Sequence, residues 1–277
     1  RRTSDKDIIE LLKLSEKHGI LIMAHVENDD LIDLNPRFTY KDLPKSRPTN
    51  SEVSEALKLA SFVKEFGGYL YMVHLSSGAT LKALIDNYPE LINRRFFIES
   101  CPQYFMFTNE ALKGKDGHLY TCAPPLRSID EVALLRKLKD YIYTLGTDHC
   151  AFNEKDKRGR LLKWKPLGIG GIEHSYNVLR QVFGNDAITR MGERVANLMK
   201  LPGKGVIEIG ADADLSFFKI EKGKTIEKHH GNTDYDLYEG LPSSGIFDHV
   251  MIRGQFVLKN NKLLESNGRY LISGGEA

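Results

Sequence analysis

The most constraining feature of this chain is an alternation. Runs that are apolar on both faces, at residues 20–26, 69–75, 95–99 and 141–146, are each separated from the next by a helical pattern. A strand apolar on both faces must be covered on both, and a helix between successive strands supplies the cover while leaving the strands parallel. The helical punctuation supports this. Thr3 or Ser4 can cap a first helix that carries Ile8, Ile9, Leu11, Leu12 and Leu14 and stops at Gly19. Thr49 with Glu52, and Ser128 with Glu131, have capping-box spacing ahead of further helices. Four βα units are expected, in an α/β fold.

The texture changes towards the C-terminus. Helices are expected over 171–183 and 186–199, the second ended by Pro202 and Gly203. Short strands at 206–209, 215–218, 250–253 and 255–258, with tight Gly or Asn-Asn turns, then suggest a small β domain. We therefore divide the chain at residues 1–203 and 204–277. The tail from about Glu265 has too few apolar residues to argue a fixed structure.

Composition narrows the partners. The 277 residues are 41% hydrophobic and 27% charged, enough for a sizeable core, and net charge +2 gives no reason to expect nucleic acid or a membrane surface. Small molecules or further subunits are the expected partners. Three cysteines without close pairing, Cys101, Cys122 and Cys150, suit a reducing compartment, and a cytoplasmic location is expected. Neither a signal-peptide pattern nor a long apolar run is seen. The chain opens on Arg1-Arg2 and not on Met, so it is expected to be cut from a longer one.

Polar residues stand at three strand ends: His25, His74 and Asp148. In a parallel barrel the C-terminal strand ends converge on one rim, and two imidazoles with a carboxylate suit zinc or a similar divalent ion holding a reactive water. A single His after an apolar strand is ordinarily structural; three ligand-type residues at equivalent ends carry more weight. His149 is a poorer candidate, since neighbours on a strand point to opposite faces.

Here the sequence resembles a known family. Residues 24–28 (AHVEN), 73–77 (VHLSS), 99–104 (ESCPQY), 123–127 (APPLR) and 147–150 (TDHC) look like successive motifs of the cyclic amidohydrolases, nearest to the dihydropyrimidinase and hydantoinase branch. The stretches 210–215 (GADADL) and 229–240 extend the likeness over almost the whole chain. The resemblance implies a TIM-like (β/α)8 barrel, of which about the second half is present from roughly the fifth strand, with a small C-terminal β-sandwich part. It implies two zinc ions bridged by hydroxide and a carboxylated lysine, which lies outside this chain. His25 and His74 would bind one metal. Asp148 would bind the other and carry the proton from the attacking hydroxide to the departing amide nitrogen. It also implies a homotetramer or dimer acting on a hydantoin or dihydropyrimidine ring.

Three departures accompany the likeness. No His-x-His pair occurs in the chain, Ala123 stands where serine is usual, and Leu167 stands where asparagine is common. Ala123 and Leu167 are expected to hold the substrate ring through backbone groups. Allantoinase and dihydroorotase chemistry remain open, as does a scaffold that keeps the fold without the metal site, although a scaffold has no chemical need for three ligand-type residues at one rim. Other features read as structure. Glu27 and Asn28 could orient His25 or simply form a turn. Cys150 reads as a small buried thiol, Gly168-Ile169-Gly170-Gly171 as a loop rather than a phosphate cradle, and the run Lys155, Lys157, Arg158, Arg160 as a solvated loop.

Overall fold

The computed structural model describes residues 3–265 and 268–272. Packing divides the chain into two compact units: Arg1–Ile172 with His230–Leu237, and Glu173–His229 with Tyr238–Ala277. This division differs from the sequence division at residue 203, because the helices beyond Glu173 pack among themselves and within the second unit.

The first unit holds a four-stranded parallel sheet in the order β1 (Leu21–Ala24), β2 (Tyr69–Met72), β3 (Phe96–Ser100), β4 (Thr144–Leu145). Helices Asp5–His18, Thr49–Phe66, Gly78–Asn87 and Ile129–Lys137 alternate with the strands as expected. Ser4 caps the first helix by accepting from the Asp7 amide, and Gly19 closes it in the left-handed region at φ 64°. Helix Thr49–Phe66 buries Ala56, Leu59, Ala60 and Val63, a stripe at helical spacing, and Leu70, Tyr71 and Met72 of β2 are all buried. Each such Leu or Val contributes about 1.5–3 kcal/mol by leaving water.

The fourth strand is shorter than expected. Residues 139–141 form a 3₁₀ turn, and only Thr144 and Leu145 pair with Glu99 and Ser100. The Tyr143 and Gly146 amides extend that ladder by donating to the Ile98 and Ser100 carbonyls.

In the second unit the helical part begins at Ser175. The expected helix over 186–199 is broken at Gly192 into Asp186–Met191 and Glu193–Leu198. An antiparallel sheet follows, in the order β5 (Leu215–Ile220), β6 (Gly245–Ile252), β7 (Gln255–Lys259), β8 (Lys262–Leu263). Two-residue turns join its last three strands. Arg253-Gly254 and Asn260-Asn261 all have positive φ, the conformation that matches the twist of a hairpin. The strand expected at 206–209 does not form; Ile207 lies in irregular backbone and Ile209 in a turn, both with their side chains in solvent. Among the described residues, no helix is long and apolar enough to cross a membrane.

Candidate active site at the strand ends

His25 follows β1 directly, and its ring stands at the centre of a polar chain. Its Nδ1 lies 3.1 Å from Nε2 of His74, and its Nε2 lies 2.8 Å from the Glu27 carboxylate. The two rings meet edge to face, with centroids 4.8 Å apart. Glu27 is buried and also accepts from Arg47, and the hydrogen bonds with His25 and the Arg47 cation hold its carboxyl below the ordinary range against the cost of burial. Of the two readings of Glu27, orienting His25 is therefore the one the geometry supports.

His74 lies two residues beyond the end of β2 with φ 45°, an uncommon conformation for a non-glycine residue. Its amide donates to Glu99 at 3.2 Å, and its ring is buried with Nδ1 unpartnered among the described residues. Burial, helped by the charge of His25, pushes its pKa down to about 4, so the ring is a neutral imidazole near neutral pH. Glu99, on β3, accepts from the Tyr71 hydroxyl, and burial raises its carboxyl. Gly146 is needed beside it, because a Cβ there would come within 2.5 Å of the Glu99 carboxylate.

Asp148 follows β4 and also has positive φ, 47°. Its side chain reaches solvent, yet the surrounding chain desolvates it enough to raise its carboxyl, against a lowering by His25. The three strand-end residues are thus not equally assembled. His25 and His74 touch, whereas among the described residues Asp148 is linked to the pair only through the charge of His25. No group of three or more His, Cys, Asp or Glu with metal-holding spacing exists among the described residues. The donor set nevertheless fits half of a metal site: two imidazole nitrogens converge, and a carboxylate occupies the other nitrogen of one ring, the usual support of a ligating histidine.

The second and third loops are fixed by a buried charge network. Glu52 does not cap its own helix, whose N-cap is Pro48. It turns inward to accept from the Ser76 and Ser77 amides, at 3.3 and 3.2 Å, and from Arg127 at 3.3 Å. Burial raises its carboxyl and Arg127 opposes the rise. Glu131 likewise serves the neighbouring helix by accepting from the Ala79 amide at 2.9 Å, while Ser128 caps as expected.

Ala123 and Leu167 lie on adjacent segments. Thr121, two residues before Ala123, accepts from the Gly168 amide at 3.0 Å and donates through its hydroxyl to the Pro166 carbonyl at 3.1 Å. Two expectations fail in this region. Cys150 is exposed rather than buried, because residues 149–150 pair with Ile169 instead of extending the sheet. Lys157 is fully buried rather than solvated. Its signal in sequence is indistinguishable from that of its exposed neighbours.

No family profile matches the chain. It is 28% identical to a D-hydantoinase of Geobacillus stearothermophilus, over 96% of this chain and 61% of that one. It is 26% identical to an allantoinase of Deinococcus radiodurans, over 93% and 60%. The crystal structure of dihydropyrimidinase from Brevibacillus agri superposes with a TM-score of 0.87 at 26% identity, over 95% of this chain and 62% of that one. The similarity is to the hydantoinase and dihydropyrimidinase branch. A D-hydantoinase (dihydropyrimidinase) from Thermus sp. agrees, with a TM-score of 0.86 at 25% identity, over 95% and 62%. The hydantoinase-like chain thus spans about three fifths of the length of the relatives it matches.

Proposed function

We propose that this chain supplies part of a metal-dependent hydrolase that opens the cyclic amide ring of hydantoins or dihydropyrimidines. The observation that carries the reading is the pair His25 and His74, whose ring nitrogens face each other 3.1 Å apart at two parallel strand ends, with Glu27 on the far side of His25. In this reading β1 to β4 with their helices form four units of a (β/α)8 barrel, and β5 to β8 form part of a β-sandwich. His25 and His74 hold one of two zinc ions, and Asp148 contributes to the other. The remaining ligands, including a carboxylated lysine, come from outside these residues. The metal, when bound, supplies Lewis acidity that makes water more acidic and polarises the ring carbonyl.

The protein's own groups do the rest. Glu27 fixes the tautomer of His25, leaving Nδ1 free to ligate. Asp148, with its carboxyl raised by desolvation, accepts a proton from the attacking water and returns it to the amide nitrogen as the C–N bond breaks. Backbone groups at Ala123 and Leu167 hold the ring. The free thiols of Cys101, Cys122 and Cys150 support a cytoplasmic site of action, and the family resemblance supports a homotetramer or dimer.

The similarity to an allantoinase favours a second substrate, allantoin. Metal analysis of the full-length gene product, with hydrolysis assays on dihydrouracil, hydantoin, allantoin and dihydroorotate, tests both. Bound zinc with turnover of hydantoin or dihydrouracil is expected. Turnover of allantoin alone would favour the second reading, and a metal-free, inactive product would leave only a scaffold.

A further inference from the structure

Lys157 ends the short helix Glu154–Lys157 and is wholly enclosed. Its ammonium has three N–H donors and meets three backbone carbonyls: Leu119 at 2.7 Å, Thr121 at 2.9 Å and Gly168 at 2.6 Å. Among the described residues no carboxylate pairs with it. Burial pushes its pKa down to about 8, so it stays largely charged at neutral pH. A buried charge of this kind is costly, and an apolar side chain of similar length would fill the volume without that cost. Packing alone does not call for lysine.

What the ammonium adds is a fixed spacing between distant pieces of chain. On one side it holds residues 119–121, and on the other Gly168. The same two segments are laced by the Gly168 amide and the Thr121 hydroxyl. Residues 168–169 are pinned on their other side too. The Cys150 amide donates to Ile169 at 3.0 Å, and a Cβ on Gly168 would lie 2.6 Å from the Cys150 carbonyl, which only glycine allows. Lys165, also buried, donates to the carbonyls of Lys157 and of Gly159, and so holds the clamp's own backbone. Ala123 lies two residues beyond Thr121, and Leu167 directly before Gly168.

We propose that Lys157 is a positioning residue for the cyclic substrate: its ammonium sets the separation between the backbone groups of Ala123 and Leu167, and thereby which ring size is held productively. This rests on the function proposed above, in which those backbone groups carry the ring.

The test uses the full-length gene product and the variants K157M and K157R. Bound metal, thermal midpoint, and kcat and KM are measured for hydantoin, a five-membered ring, and dihydrouracil, a six-membered one. Folded K157M is expected to retain its metal. Its kcat/KM should fall by about 10²-fold, mainly through KM, since misplacing a bound substrate by about 1 Å has effects of that size. The ratio of kcat/KM between the two rings should move by roughly tenfold. A mere loss of folded protein would scale both substrates equally and leave KM unchanged. Unchanged KM and an unchanged ratio in a folded, metal-loaded variant would overturn the proposal. If K157M does not fold, K157R decides by the same readings, because a planar guanidinium cannot direct three N–H bonds from one nitrogen. A wild type that hydrolyses none of the cyclic amides defeats the parent function. The clamp is then read from amide hydrogen exchange at Gly168, where at least tenfold faster exchange in the variant is expected and equal exchange refutes it.

Discussion

The parallel sheet of the first unit and the antiparallel sheet of the second treat charge in opposite ways. At the ends of β1 to β4, Glu27, Glu52, Arg127 and Lys157 are buried, each held by several hydrogen bonds. Around β5 to β8 the ion pairs stay near solvent. Lys204 reaches Asp212 and Asp214, and Lys219 reaches Glu221, with at least one partially exposed partner in every case. Burying a charge costs several kcal/mol unless its partners are well placed, whereas an exposed pair contributes little and is screened by salt. A region that bears that cost is positioning something, and here it positions the loops at the C-terminal strand ends. The second sheet achieves its form with hairpin turns and aromatic contacts, such as Tyr176 against Phe218 and Phe247.

Substitutions in the two regions should therefore differ sharply. The largest effect is expected for D148A in the full-length gene product. Turnover should fall by about 10²–10⁴-fold, the contribution of a positioned proton carrier, with an unchanged far-UV spectrum. A variant that stays fully active would remove Asp148 from the chemistry. R127M should follow. It leaves Glu52 buried without its cation, and urea denaturation should show a loss of about 3–5 kcal/mol. A loss below about 1 kcal/mol would mean that the network is not needed for the fold.

E27Q tests the support of His25. Zinc affinity, measured by chelator competition, should weaken by about 10–100-fold, since glutamine still reaches the ring but no longer carries a charge. Unaltered affinity would make Glu27 a turn residue after all.

A pH series sharpens the comparison further. Because burial lowers Lys157 from 10.5 to about 8, the unfolded chain binds that proton more tightly than the folded one between those values. Wild-type stability relative to K157M should therefore rise with pH across that window, by at most about 1.4 kcal/mol per pH unit, and the contribution should be lost as pH falls through 8. A flat difference would place Lys157 in water. Cys122 beside it stays a thiol across most of the window, its pKa pushed up to about 12 by burial. Smallest is K204M in the second unit, where denaturation should shift by no more than about 1 kcal/mol.

Much of the scaffold was legible locally. The Ser4 and Ser128 caps, the buried stripe of helix Thr49–Phe66 and the turns at Arg253-Gly254 and Asn260-Asn261 follow from neighbours within a few positions, where periodicity and turn chemistry operate. His25 and His74 could be paired in advance because parallel strands place their C-terminal ends side by side. Asp148 could be assigned to the same rim by the same rule, but its contacts could not.

Long-range partners hid the rest. Glu52 has capping-box spacing, yet its carboxylate meets Ser76, Ser77 and Arg127, far along the chain. The apolar residues at 206–209 suggested a strand, but a strand needs a neighbour to pair with, and among the described residues none pairs there. Lys157 sits in a charged run like any surface lysine, and only the approach of residues 119–121 and 168 encloses it.

The sequence alone determined the order and type of the main elements, the tight turns and the residue types at the strand ends, because these depend on short-range patterns of polarity and backbone preference. The tertiary structure alone decided which charges are buried, that two imidazoles touch while the carboxylate stands apart, and that a lysine ties together the segments carrying Ala123 and Leu167. Those outcomes depend on which distant chain segments exclude water from a given group, and that is a property of the packed chain.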